Sequence, residues 1–103
     1  MKLVRSAFLA VALVLSSGSV ARAQDFNKVI DAWDAGDFAT AVQELRPLTR
    51  QGDAFAQYLL GMMYFKGQGA PQDVEEAVKL YRLAAEQGNT LAQTELGKLY
   101  GNG

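Results

Sequence analysis

The sequence predicts an all-α protein of stacked, antiparallel helix-turn-helix repeats. Three observations carry that prediction: an internal repeat, apolar residues at helical spacing, and glycine stops followed at once by Asp or Asn starts. At an offset of 36, the segment from Asp37 to Gly67 meets that from Asp73 to Gly103, and 12 of the 31 pairs are identical. The identities include Asp37/Asp73, Ala41/Ala77, Arg46/Arg82, Gln51/Gln87, Ala56/Ala92, Gln57/Gln93, Leu60/Leu96, Gly61/Gly97 and Tyr64/Tyr100. A fixed period of this size marks a stacked-helix array.

The elements follow in order. Asp25 to Ala35 reads as an opening helix. Asp37 caps a second that runs to about Gln51, with Phe38, Ala41, Val42, Leu45 and Leu48 at helical spacing. Gly52 closes it, because a residue without a side chain takes the left-handed conformation at a helix end. Asp53 caps a third helix that ends near Lys66 at Gly67, and Gly69-Ala70-Pro71 is a loop. Asp73 caps a fourth, where Glu76 completes a capping-box pattern. Gly88-Asn89 repeats the stop and start before a fifth helix, and no stretch shows β-alternation. Ala41, Ala56 and Gly61, repeated as Ala77, Ala92 and Gly97, mark where helices approach closely. Leu60 and Tyr64, then Leu96 and Tyr100, fill the space beside them.

The first 23 residues stand apart from the repeat. Lys2 and Arg5 precede nine unbroken apolar residues, Ala7 to Leu15, and a small-residue end at Ala21-Arg22-Ala23. That three-part pattern is the form of a secretory signal peptide cleaved after Ala23. Nine apolar residues fall short of the roughly 20 that span a bilayer, so no stable membrane insertion is expected after cleavage. The expected location is periplasmic or secreted. The mature chain from Gln24 would carry 7 basic and 11 acidic residues, a formal charge of −4. With no basic cluster, it lacks a nucleic-acid footprint. It has no Cys, so packing rather than disulfides must hold it.

The segment from Ala56 to Gly103 resembles the Sel-1-like repeat. The residues that carry the resemblance are Ala56, Leu60, Gly61, Tyr64, Gly67, Gly69, Pro71, Asp73, Ala77, Tyr81, Ala84, Ala85 and Gly88, restarting at Ala92, Leu96, Gly97, Tyr100 and Gly103. That family is similar to tetratricopeptide repeats. The resemblance implies a short right-handed α-solenoid of about five helices and an adaptor or scaffold role. Residues 24–52 form an atypical first unit, 53–88 a full repeat and 89–103 an incomplete one. Trp33 and Gly36 stand in the first unit at the places of Tyr64 and Gly67, and the loop Gln68 to Gln72 has no counterpart there.

The third helix is apolar around most of its girth. One stripe, Ala56-Leu60-Met63-Tyr64, belongs to the repeat packing. A second, Phe55-Tyr58-Met62-Phe65, faces another direction. By resemblance to tetratricopeptide repeats, this second stripe and Lys66 match positions that line a concave groove. The equivalent positions are Asn27, Asp31 and Asp34 on the first helix and Leu91, Thr94 and Lys98 on the last. The candidate partner-binding residues are therefore Phe55, Tyr58, Met62, Phe65, Lys66, Asp31, Asp34, Thr94 and Lys98. The same apolar spacing would equally serve packing inside the superhelix. Asp31 and Asp34 alone are a weak metal site.

A chain with no His and no Cys lacks the commonest general base, the thiolate nucleophile and the best transition-metal ligands. No Ser follows position 19, and its Thr residues show no motif of an activated nucleophile. No catalytic residue, cofactor or metal is expected. The sequence points first to an exported, non-enzymatic adaptor that binds a protein or peptide on its concave face. The alternative is a self-associating assembly module that stacks through an uncovered C-terminal helix. A cell-wall-associated hydrolase or its binding subunit ranks third.

Overall fold

The computed structural model describes residues 26–101. The signal-peptide reading, the cleavage site and Gly103 lie outside them. Among the described residues the chain is all-helical. Helix α1 covers 26–34, followed by α2 (Phe38–Arg50), α3 (Ala54–Lys66), α4 (Val74–Glu86) and α5 (Thr90–Leu99). Helix α2 packs on α3, α3 on α4 and α4 on α5, with the most extensive contact between α3 and α4; Val29 and Ala32 of α1 join the cluster that α2 and α3 build. The architecture is the stack of antiparallel helix pairs that the 36-residue period implies.

Four of the five helices start where a short polar side chain can satisfy a free backbone N–H. Asp37, Asp53, Asp73 and Asn89 each accept from the amide three residues on, Thr40, Ala56, Glu76 and Ala92, at 2.8–3.2 Å. Each such cap contributes about 1 kcal/mol. The Asp37 carboxylate also accepts from the Thr40 hydroxyl at 2.6 Å, and these two bonds hold it below the ordinary aspartate range.

The capping box expected at Asp73 is only half formed. Glu76 donates its amide to Asp73, but the amide of Asp73 is taken by the carbonyl of Tyr64 at 2.9 Å. Glu76 turns instead toward Lys79, 3.9 Å away. The cause is the loop before α4, which folds back along α3. The Gln72 side chain donates to the Phe65 carbonyl at 2.8 Å. A Cβ on Gly69 would run into the Phe38 carbonyl oxygen, so this loop rests directly on the start of α2. Pro47 sits inside α2 without breaking it. Its missing N–H leaves the Gln43 carbonyl without a helical donor, and both residues face water.

Two apolar clusters hold the stack. The larger joins Val29 and Ala32 of α1, Ala41, Val42, Leu45 and Leu48 of α2, Ala56, Leu60 and Met63 of α3, and Leu80 of α4. Trp33 packs edge-on against Phe38 beside it, at a centroid distance of 5.2 Å. The smaller is built on Ala77, Tyr81 and Ala84 of α4 and Ala92 of α5. Tyr64 borders both. Burial falls along the array. Leu60 is buried and Tyr64 half-buried, whereas their period mates Leu96 and Tyr100 are half-buried and exposed.

At Gly61 helices α3 and α4 approach closely: a Cβ there would lie 3.0 Å from the Tyr81 ring and 3.3 Å from the Ala77 carbonyl oxygen. Gly61→Ala should therefore lower stability by about 1–3 kcal/mol despite its gain in helix propensity. Urea denaturation of the two proteins measures it; equal midpoints would refute the close approach.

Candidate functional site

Helix α3 lies between α2 and α4, and the two sides of its surface have different fates. Ala56, Leu60 and Met63 are buried in the larger cluster. The other stripe stays partly open: Phe55 is 46% exposed, and Tyr58, Met62 and Phe65 are half-buried. These four residues fall on one side because 3, 4 and 3 residue steps return to the same face of a helix.

The stripe is part of a longer aromatic row. The Phe55 ring stands 5.9 Å from Phe26 of α1 and 6.3 Å from Tyr58, nearly parallel to the latter. Tyr58 in turn stands 6.1 Å from Tyr81 of α4. Such aromatic pairs contribute about 0.5–1.5 kcal/mol beyond the area they bury. The Tyr58 hydroxyl sits 3.9 Å from the Met62 sulfur, a weak donor contact that orients both. Phe65 packs with Tyr58 against the Ala77-Tyr81-Ala84 cluster. Burial, aided by the nearby charge of Glu95, pushes the Tyr81 phenol well above the ordinary tyrosine range. Tyr81 therefore backs the row as a neutral ring.

The sequence candidates divide accordingly. Phe55, Tyr58, Met62 and Phe65 form one continuous surface. Asp31, Asp34, Lys66, Thr94 and Lys98 are all exposed. None of these five makes a side-chain hydrogen bond or ion pair to the stripe among the described residues. Lys98 pairs with Glu95 at 3.6 Å and the Thr94 hydroxyl donates to the Thr90 carbonyl at 2.9 Å, both within α5. Packing and groove, which the sequence left as alternatives, thus apply to different residues of one stripe. Tyr58 and Phe65 lean on the core, and Phe55 stands out from it.

Some contributors were not singled out from sequence. Phe26 carries the row onto α1, and its only sequence signal was an aromatic ring at the start of the first helix. Gln57 is a buried polar residue, 4% exposed. Its side-chain carbonyl accepts from Gln87 at 2.9 Å, joining α3 to the end of α4. Arg46 donates to the Tyr64 hydroxyl at 3.4 Å, and Arg82 bonds Tyr100 in the same way. The signal for these was present in the identities Arg46/Arg82 and Tyr64/Tyr100 of the repeat.

Residues 54–89 and 90–103 match the Sel1 repeat family. The chain is 39% identical over 64 residues to the DAP3-binding cell death enhancer 1 of Mus musculus, an overlap covering 62% of this chain and 12% of that protein. It is 41% identical over 63 residues to an uncharacterized protein of Neisseria meningitidis serogroup B, covering 61% of this chain and 14% of that one. The chain spans about an eighth of the length of these relatives.

The divided stripe gives two substitutions with different outcomes. Phe55→Ala should cost no more than about 1 kcal/mol, because much of its ring is already in water. Tyr58→Ala should cost about 2–4 kcal/mol, because the ring contacts Phe55, Tyr81 and the second cluster. Thermal unfolding followed by circular dichroism ranks them; the reverse order would mean that Phe55 is the core residue.

Proposed function

Because this chain is a Sel1-repeat protein, with its repeats over residues 54–103, we propose that it is a non-catalytic adaptor that holds a peptide or protein partner on the aromatic face of α3. Sel1 repeats are helical solenoids of the tetratricopeptide type, and they generally mediate protein–protein interaction. The observation that carries the reading is the row Phe26-Phe55-Tyr58-Tyr81, continuous across three helices and open to water at Phe55. A row of half-buried rings is chemistry for docking an apolar side chain or an amphipathic segment. Met62, unbranched and polarizable, adapts its shape to the occupant. The exposed Asp31 and Asp34 on α1 and Lys66 and Lys98 on α3 and α5 supply charges of both signs on the helices that carry this surface. They favour a partner segment whose own charges complement them. The name of the mouse relative states that it binds another protein, which supports the class of ligand for this chain.

The second reading is self-association through α5. It is favoured by the exposure of Leu91 (48%), Leu99 and Tyr100 (53%) on one short helix. The proposed place of action is the periplasm or the exterior, from the signal-like segment at residues 1–23.

Affinity capture with the chain and with its Phe55→Ala variant tests the first reading. A partner held by the former should be lost, about tenfold or more in affinity, by a variant whose melting temperature falls by no more than about 8 °C. Equal retention would sink the aromatic-face assignment, and a mass that grows with concentration in light scattering would favour self-association. Export is checked separately by N-terminal sequencing of the chain recovered from a periplasmic extract, which should begin at Gln24. An intact Met1 would contradict it.

A further inference from the structure

On the side of α3 roughly opposite the aromatic row, Leu60 and Tyr64 floor an open groove of about 400 Å³ between α2 and α4. Arg46, Thr49 and Arg50 of α2 form one wall, and Glu76 and Leu80 of α4 the other. The cation wall is partly pre-arranged. The Thr49 hydroxyl donates to the Arg46 carbonyl at 2.7 Å, the Arg50 Nε reaches the same carbonyl at 3.4 Å, and Arg46 Nη2 points at the Tyr64 hydroxyl. Neither arginine has a carboxylate within ion-pair distance among the described residues, where the ion pairs are Lys79–Glu76 and Lys98–Glu95. Two guanidinium groups one helical turn apart therefore keep unused donors over an apolar floor.

The repeat separates the framework from the exception. Arg46 recurs as Arg82, with the same bond to a tyrosine eighteen residues on. Arg50 does not recur, since its period mate is Glu86. The paired arginines are thus a property of this one groove and not of the array.

We propose that the α2/α4 groove docks a short acidic segment of a protein partner. One carboxylate lies on the Arg46–Arg50 pair, and a neighbouring aliphatic or aromatic side chain rests on the Tyr64 ring, beside the buried Leu60 and Leu80. The guanidinium fork matches a carboxylate in planar, two-point geometry. The volume suits a few side chains. Glu76 on the opposite wall repels a polyanion, and the leucine floor offers nothing to a sugar-phosphate chain, so a single carboxylate beside an apolar group is the better fit. This surface is separate from the aromatic face, and one partner segment does not reach both directly.

The test is a titration of the full chain, isotopically labelled, with the acetylated and amidated peptide Gly-Asp-Leu-Asp-Phe-Gly, followed by NMR. The expected result is shifts at the Arg46 and Arg50 side-chain N–H signals and at the Leu60 and Leu80 methyls. Replacing both Asp by Asn in the peptide, or Arg50→Gln in the protein, should weaken binding about tenfold or more. The side-chain hydrogen bond of Arg50 stays within α2, so this variant should keep its melting temperature, and Phe55→Ala should bind the peptide normally. Shifts confined to the aromatic row, equal binding of the Asn peptide, or displacement by inorganic phosphate at peptide-like concentration would each overturn the proposal.

Discussion

The contact of α3 with α4 across Gly61 is the constraint on which the other features rest. A glycine there lets the Tyr81 ring lie against the α3 backbone, with the Ala77 carbonyl close beside it. With Tyr81 seated and 1% exposed, the position of Tyr58 is set by ring contact, and Phe55 by its contact with Tyr58. The aromatic row is thus the outer edge of a packing arrangement. A wider spacing between the two helices would separate Tyr58 from Tyr81 and remove the row. Close packing of this kind transmits small changes, because dense interiors have few voids in which to absorb them.

Apolar burial fixes the distance between helices, and a polar frame fixes their register. The Gln57 amide donates to the Thr49 carbonyl and the Gln93 amide to the Ala85 carbonyl, in each case eight residues back, at equivalent points of the two units. Arg46–Tyr64 and Arg82–Tyr100 are likewise one bond written twice. Gln57 also takes a bond from Gln87, so one buried amide closes one turn and links it to the next. Each bond is worth about 1 kcal/mol net, but the buried Gln57 would cost more if left unpaired. No buried side-chain nitrogen or oxygen lacks a partner among the described residues. The frame sets register without a penalty from stranded polar groups.

What the sequence made legible follows from the kind of signal each feature sends. Helix starts were readable at Asp37, Asp53, Asp73 and Asn89, because a cap acts over three residues and needs no distant partner. The Asp73–Glu76 box was misread for the complementary reason. Its second donor went to Tyr64, nine residues away, through a loop path that no local pattern encodes. The buried small residues were legible because the repeat states them twice. The α2/α4 groove was not, because Arg50 and Glu76 belong to different helices and neither position repeats. The stripe of α3 was visible as a stripe, but periodicity cannot tell the exposed Phe55 from the supported Tyr58. That distinction is made by Phe26 and Tyr81, which arrive from helices on either side.

The central helix is also the place in this stack where a binding surface costs least to hold. Helix α3 is gripped by α2 and α4 through Ala56, Leu60 and Met63, so its outer rings are largely ordered before any partner arrives. A partner binding there would lose little of its affinity to freezing the receptor. The outer helices carry mostly polar residues at the equivalent positions: Asn27, Asp31 and Asp34 on α1, and Leu91, Thr94 and Lys98 on α5, all exposed. Apolar residues at the centre with mostly polar ones outside them would let a few central contacts hold a partner while the rim excludes water and sets orientation. The exposure of Phe55 is consistent with that order. A ring left half in water by the fold, yet fixed by two neighbouring rings, still has apolar area to bury and little motion left to lose.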